Sequence, residues 1–243
     1  VDCWRLIMDN AGYTTLTRQS GLTREMNVLA NNIANAATTG YRAEGIAFSE
    51  FIKSAPGTES ISMATANVQM TSLEQGALKQ TGGSLDFAVE GPGFFMVQTP
   101  NGERLTRAGA FAPNENGDLV NMDGHLVLDA GGAPIFIPPD AKSVDVSSDG
   151  TFSVDGNPLG QLGIYRPINP LDLKRETGVL FDAPEGVEPI EEARVLQGFL
   201  ENSNVNPITQ LSRMIEVQRA YEMGQTFLEN EHNRIRDAVK TFV

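Results

Sequence analysis

The sequence is poor in the groups that carry most enzyme chemistry. It has one cysteine, Cys3, and two histidines, His125 and His232, among 243 residues. A lone cysteine excludes an intramolecular disulfide, and one thiol with two imidazoles does not make up the ligand set of a structural zinc site. Basic residues are scarce as well: 18 Lys and Arg stand against 31 Asp and Glu, for a formal charge of −13. A field of that sign repels phosphate backbones and anionic lipid surfaces, so nucleic acid is not an expected partner. No apolar run approaches the roughly 18 residues of a membrane-spanning helix, and direct membrane insertion is not expected either. The opening VDCWRLI carries a short apolar patch but no hydrophobic stretch of signal-peptide length with a small-residue cleavage site. Met8 is a candidate initiator, with the residues before it an upstream extension.

The recognisable catalytic motifs are also missing or have plainer readings. Asp123-Gly124-His125 looks like half of an acid–base pair, yet Asp-Gly is first of all a turn dipeptide. Asn114-Glu-Asn-Gly-Asp118 lacks the spacing and the closing Glu of a calcium loop. Gly91-Pro-Gly93 is neither a dinucleotide fingerprint nor a P-loop and reads as a bend. No Gly-x-Ser-x-Gly elbow occurs. The expectation is therefore a non-enzyme with no catalytic residue, cofactor or metal. Two rivals stay open at this point: a periplasmic carbohydrate-active enzyme, whose carboxylates need be close only in space, and a secreted adhesin.

What the chain does contain is periodicity at its two ends. From about Asp9 to Ala36 the pattern is helical, with Leu22, Met26, Leu29 and Ile33 stepping by four, three and four residues along one stripe. Asn31, Asn32 and Asn35 lie around that stripe, and an amide beside a helical seam confers register and partner selectivity. Gly40 is suited to stop the helix. From Pro207 onward Met214, Tyr221, Leu228, Ile235 and Phe242 recur every seventh residue, and Leu211, Gln218, Gln225, His232 and Val239 complete a 3-4 alternation with a polar middle. Asn206-Pro207 supplies the helix start.

Between the helices the signals are β. Asn101-Gly102, Asn116-Gly117, Asp123-Gly124, Gly131-Gly132, Asp149-Gly150 and Asp155-Gly156 are tight-turn dipeptides of the kind found in type I′ hairpins. Short apolar or alternating runs separate them, at 94–97, 126–128, 135–137, 143–146 and 162–165. The expected class is α+β in four parts: an N-terminal helix over 1–40, an extended arm over 41–75, a mainly antiparallel β domain over 76–202, and a C-terminal helix over 203–243.

Several stretches resemble a known family. Leu29-Ala-Asn-Asn-Ile-Ala-Asn-Ala-Ala-Thr-Thr-Gly-Tyr41 closely resembles the signature of flagellar basal-body rod proteins. Leu200-Glu-Asn-Ser-Asn-Val-Asn-Pro207 with Met214-Ile-Glu-Val-Gln-Arg-Ala-Tyr-Glu222 is similar to their C-terminal signature. Gln75-Gly-Ala-Leu-Lys-Gln-Thr-Gly82, Gly91-Pro-Gly-Phe-Phe95 and Leu105-Thr-Arg-Ala-Gly-Ala-Phe111 match the family pattern in order and spacing. Ala37 departs from it, standing where an asparagine is usual. Length and the lack of a large central insertion disfavour the hook protein, and Phe227-Leu-Glu-Asn-Glu-His232 resembles proximal-rod more than distal-rod members.

The resemblance implies a structural subunit of the flagellar basal body, sited in the periplasm, that stacks axially to transmit torque and line the export channel. Its implied partners are other rod subunits, copies of itself and the flagellar type III export apparatus, which uses no cleaved signal peptide. The terminal helices are implied to form a coiled-coil layer. The expected subunit-interaction residues are the apolar and amide positions already named: Leu22, Met26, Leu29, Asn31, Asn32, Ile33, Asn35, Leu211, Met214, Tyr221, Leu228, Ile235 and Phe242.

Overall fold

The computed structural model describes residues 2–53, 61–190 and 193–241. Two long helices, α1 (Asp2–Ala34) and α2 (Pro207–Thr241), bracket a series of short strands, and the chain is α+β. It divides into two compact units. One gathers α1, residues 44–70 and the segment from Asn206 onward; the other gathers residues 35–43 and 71–205.

In the helical unit, α2 starts where the Asn-Pro dipeptide predicts. The Asn206 side-chain oxygen accepts from the amides of Ile208 at 3.1 Å and Thr209 at 3.2 Å, which caps two of the donors a helix start leaves open. Gln19 of α1 reaches Tyr221, Glu25 reaches Arg213 and Asn32 reaches Gln210, so the helices run antiparallel. Leu22, Leu29 and Val217 are buried between them, with Met26, Met214, Ala220 and Tyr221 packed around. Strands Glu44–Lys53 and Ile61–Thr71 pair as a two-stranded sheet.

The seven-residue series on α2 meets α1 with companions other than those the sequence pattern suggests. Val217 and Gly224 lie on the α1 side, while Gln218 and Gln225 are exposed. Steps of three from Met214 and Tyr221 (217, 224) and steps of four (218, 225) both keep to a helical stripe. Only the position of the neighbouring helix decides between them.

Among the described residues of the β unit the largest sheet has nine strands. Its main path runs Lys174–Thr177, Leu180–Asp182, Gly102–Thr106, Phe94–Thr99, Leu126–Val127, Leu119–Asn121 and Phe111–Pro113, every pair antiparallel. Ile164–Pro167 adds to the Phe94–Thr99 strand and carries Val187–Pro189. Val144–Val146, Thr151–Val154 and Asn157–Gln161 form a separate three-stranded sheet. The larger core cluster includes Phe87, Phe95, Phe111 and Phe152, with Phe95 and Phe111 edge to face at 5.3 Å; Phe94, Leu105, Tyr165 and Phe181 centre a second cluster. The predicted strand at 135–137 is reduced to isolated bridges at Pro134 and Phe136.

The hairpin turns depart from the type I′ expectation. Of the six dipeptides, only Asp155-Gly156 has positive φ at both residues, 49° and 80°, closing a two-residue loop between Val154 and Asn157. Four others belong to three-residue loops in which glycine takes the left-handed position after a type I turn. Asn114, Asn121 and Asp129 each accept, through one side-chain oxygen, from the amides two and four residues on, which fixes those loops. Ser147 begins the fourth, where Asp149 accepts from Thr151, and that bond holds the Asp149 carboxyl below its ordinary range. The side-chain capping is what makes an Asx-rich loop stable without two positive-φ residues.

Two glycines separate dihedral cost from steric cost. At Gly156, φ is 80° and nothing lies within 4 Å of an added Cβ, so Gly156→Ala is expected to cost about 1–2 kcal/mol. At Gly109 an added Cβ would sit 1.8 Å from the Phe87 carbonyl oxygen, so Gly109→Ala is expected to cost more than about 3 kcal/mol. Urea unfolding of the two variants, compared with the parent protein, checks the order.

Candidate functional site: a buried charge cluster and a paired helix surface

All five signature stretches contribute to one point of the β unit. Strand Leu78–Gln80 pairs with Phe199–Glu201, and strand Phe87–Glu90 with Arg194–Gln197, which brings Glu201 beside the end of the Gly102–Thr106 strand. The Glu201 carboxylate takes Arg42 at 2.9 Å on one oxygen and Arg107 at 3.3 Å on the other. All three side chains are about 98–99% buried. The Gly76 amide donates to the same carboxylate at 2.9 Å, and the Gly40 amide donates to the Glu201 carbonyl at 2.7 Å. Arg107 further donates to the carbonyls of Val89 and Gly91, while Gln75 bridges those two residues with its amide.

Two glycines of these motifs, Gly40 and Gly76, are steric requirements at the cluster. A Cβ on Gly76 would lie 1.9 Å from the Asn202 carbonyl oxygen, and one on Gly40, whose φ is 71°, would lie 2.2 Å from the Ala108 nitrogen. Around the cluster Arg175 lies over the Tyr41 ring at 4.2 Å and donates to the Arg42 carbonyl, and Asn204 holds Ala43, Ser72 and Glu74.

Burial pushes the Arg107 guanidinium down to about 10, against the pull of Glu201 and with a contribution from Arg42; burial lowers Arg42 as well, again against Glu201. Both remain cations at neutral pH. The cluster thus holds two positive charges and one negative, which makes the carboxylate the group whose loss costs most.

In the helical unit the expected interaction residues fall into two sets. Leu22, Met26 and Leu29 meet Met214 and Tyr221, and Leu228 is half-buried. Leu211 and Ile235 are exposed, at 55% and 46%, and Ile33 is half-buried. Phe242 lies outside the described residues. Asn32 is fully buried and clamps the backbone of Glu44, donating to its carbonyl at 2.7 Å and accepting from its amide at 3.0 Å. Asn31 is exposed, and Asn35 accepts from the Thr38 hydroxyl in the turn after α1. Glu25 pairs with Arg213 at 2.8 Å and raises the latter's pKa.

The sequence pattern did not single out Arg42, Arg107, Glu201 or Val217. Arg107 and Glu201 sit inside quoted motifs and Arg42 directly follows one, and an isolated charge among small and apolar residues is the available signal. Their mutual pairing is not readable along the chain, since Glu201 is 159 residues from Arg42.

These features define a structural protein whose signature residues hold a scaffold together and whose helices present a surface. The comparisons agree. Residues 13–42 match the family described as flagella basal body rod protein, 88–154 the D1 domain of flagellar hook protein FlgE/F/G, and 196–240 the C-terminal part of flagellar basal body rod FlgEFG protein. The chain is 36% identical over 237 residues to the flagellar basal-body rod protein FlgF of Mesorhizobium japonicum, covering 96% of this chain and 98% of the relative. It is 37% identical over 239 residues to the FlgF of Caulobacter vibrioides, with the same coverage. Against the rod protein FlgG of Agrobacterium fabrum identity is 33% over 230 residues, covering 82% and 86%. The chain belongs to the flagellar basal-body rod protein family, and it is a structural protein, not an enzyme.

Replacing Glu201 by Gln strands two buried guanidinium groups and is expected to cost about 3–5 kcal/mol. Breaking the exposed Arg166–Glu188 pair with Arg166→Ala is expected to cost under about 1 kcal/mol. Denaturant midpoints of both variants, measured at one ionic strength, test the contrast.

Proposed function

We propose that the chain is a rod subunit of the proximal class, assembling axially in the periplasmic part of the basal body. The support for the proximal class is identity: three FlgF-named relatives are 35–37% identical over 98% of their length, whereas the FlgG-named relatives are 29–33% identical. Distal rod is the second reading, favoured by those FlgG matches.

The observation that carries the assembly reading is the apolar surface left on α2. Ile208, Leu211 and Ile215 are 77%, 55% and 44% exposed on one side of the helix while Met214, Val217 and Tyr221 pack on α1. A helix of a self-sufficient protein buries one stripe and keeps the rest polar. A second apolar stripe belongs to a partner. The terminal helices would then form a coiled-coil layer around the export channel, residues 41–75 an arm tying neighbours together, and torque would pass through the helical layer. The partners in this scheme are other rod subunits and copies of this chain, reached after export through the flagellar type III apparatus without a cleaved signal.

Leu211→Asp and Ile215→Asp are expected to abolish motility and leave basal bodies without a completed rod, while the β unit keeps its thermal transition within about 2 °C. Normal swimming of both variants sinks the assembly reading. Label on the chain at the hook-facing end of isolated rods, rather than the inner-membrane end, would replace proximal by distal.

A further inference from the structure

The formal charge of the chain is unevenly placed. Residues 1–34 and 206–243 together carry eight acidic and eight basic side chains and sum to zero. The β unit, residues 35–43 and 71–205, carries 20 acidic against 9 basic side chains, a net charge of −11 out of the chain's −13. Such a unit repels anionic polymers, anionic lipid surfaces and other copies of itself, and attracts cationic surfaces.

On this acidic unit one apolar region is open to solvent. Met96, Leu105 and Phe181 are cross-strand neighbours on the Phe94–Thr99, Gly102–Thr106 and Leu180–Asp182 strands, so they share one face of the sheet. A cavity of about 110 Å³ reaches down to them, with Gly186 and Val187 on its wall. The apolar surface continues past Gly186. The Ile168 amide donates to the Gly186 carbonyl at 3.1 Å, and a Cβ on Gly186 would lie 3.4 Å from the Ile168 Cδ1. Ile168 is 57% exposed, and Leu171, in the short helical turn Pro170–Asp172, is 73% exposed. Exposed apolar groups gathered beside a cavity and bordered by charge mark an interaction site.

The charges at the cavity are Glu103, Asp182 and Arg104. Arg104 is engaged by Glu176 and by Asp182, so it offers no free cation. The Glu103 carboxylate, two residues along the strand from Leu105 and therefore on the same face, has no ion-pair partner among the described residues.

We propose that this region docks a segment of a different protein in which an aliphatic side chain is flanked by lysine or arginine. The aliphatic group fills the cavity over Met96, Leu105 and Phe181, and the flanking cation meets Glu103. Its alkyl stem lies along the exposed apolar surface of Ile168 and Leu171 while its charged end stays wet. Charge decides between partners. A second copy is disfavoured, because its β unit carries the same −11 and its helical ends sum to zero. A basic partner is drawn in by the field of the whole unit before the local contact forms, which raises the association rate. The proposal does not depend on the rod reading, since cavity and charge belong to the β unit alone.

The test uses the full-length chain in motile cells, with Leu171→p-benzoylphenylalanine in one strain and Ile168→p-benzoylphenylalanine in a second. Whole cells are irradiated and the adduct peptides are sequenced. Both positions are expected to attach to one segment of a different protein in which Lys and Arg outnumber Asp and Glu. Adding Glu103→Lys is expected to lower the adduct yield at least fivefold. Glu115→Lys, which reverses an exposed carboxylate away from the cavity lining, is expected to leave the yield unchanged. The denaturant midpoint of Glu103→Lys shows whether the variant is folded, and Glu103→Gln, expected to lower the yield in the same direction by less, replaces it if it is not. An adduct to a second copy, an adduct to a segment without excess base, no adduct from cells that contain the chain, or an equal loss with both lysine variants overturns the proposal. Basal bodies isolated from the same cells test the rod reading separately: absence of the chain there overturns that reading, while the adduct still decides this one.

Discussion

The buried attraction between Glu201 and two arginines is the constraint on which the β unit depends. Isolated from water, a guanidinium is tolerable only beside a carboxylate and carbonyl oxygens, and here one carboxylate serves Arg42 and Arg107 together. The segments that meet there come from residues 40–43, 75–76, 89–91, 106–108 and 201–204. At Gly40 and Gly76 the neighbouring backbone lies at a distance that admits no extra carbon. The ion cluster therefore specifies an arrangement more than it adds net stability, because its desolvation offsets much of its Coulomb attraction. Hydrophobic neighbours could supply stability as well, but they would not demand these partners.

The helical unit follows a different logic. Its core is small: Leu22, Leu29 and Val217 with a few half-buried neighbours. Long side chains and specific amide bonds finish the packing, with Gln19 on the Tyr221 carbonyl and Asn32 on Glu44. Such an interface fixes which residues face each other while leaving apolar side chains uncovered. That division fits a part whose remaining surface is completed by neighbours. The scaffold unit has a phenylalanine-rich core of its own.

Much of this was legible along the chain. The capping of α2 by Asn206, the helical stripe of Leu22, Met26 and Leu29, and the strand around Phe94–Val97 follow from local chemistry, which acts over a few residues. The turns were placed correctly but typed wrongly at most sites, because Asn114, Asn121 and Asp129 brace three-residue loops by side-chain bonds that a dipeptide rule does not include. Gly76 and Gly109 read as ordinary small residues until the backbone that approaches them is known.

The sequence by itself determined the helices at the two ends, the β character of the middle and the lack of a disulfide-forming pair, since composition and periodicity act locally. The tertiary structure alone decided which side of α2 is covered, because steps of three and of four from Met214 are equally helical and only a neighbouring helix breaks the tie. It alone also decided that Arg42, Arg107 and Glu201 form a single cluster. A charge in a small-residue motif announces that something must neutralise it, but the identity of that partner depends on which distant backbones the sheet brings within about 3 Å.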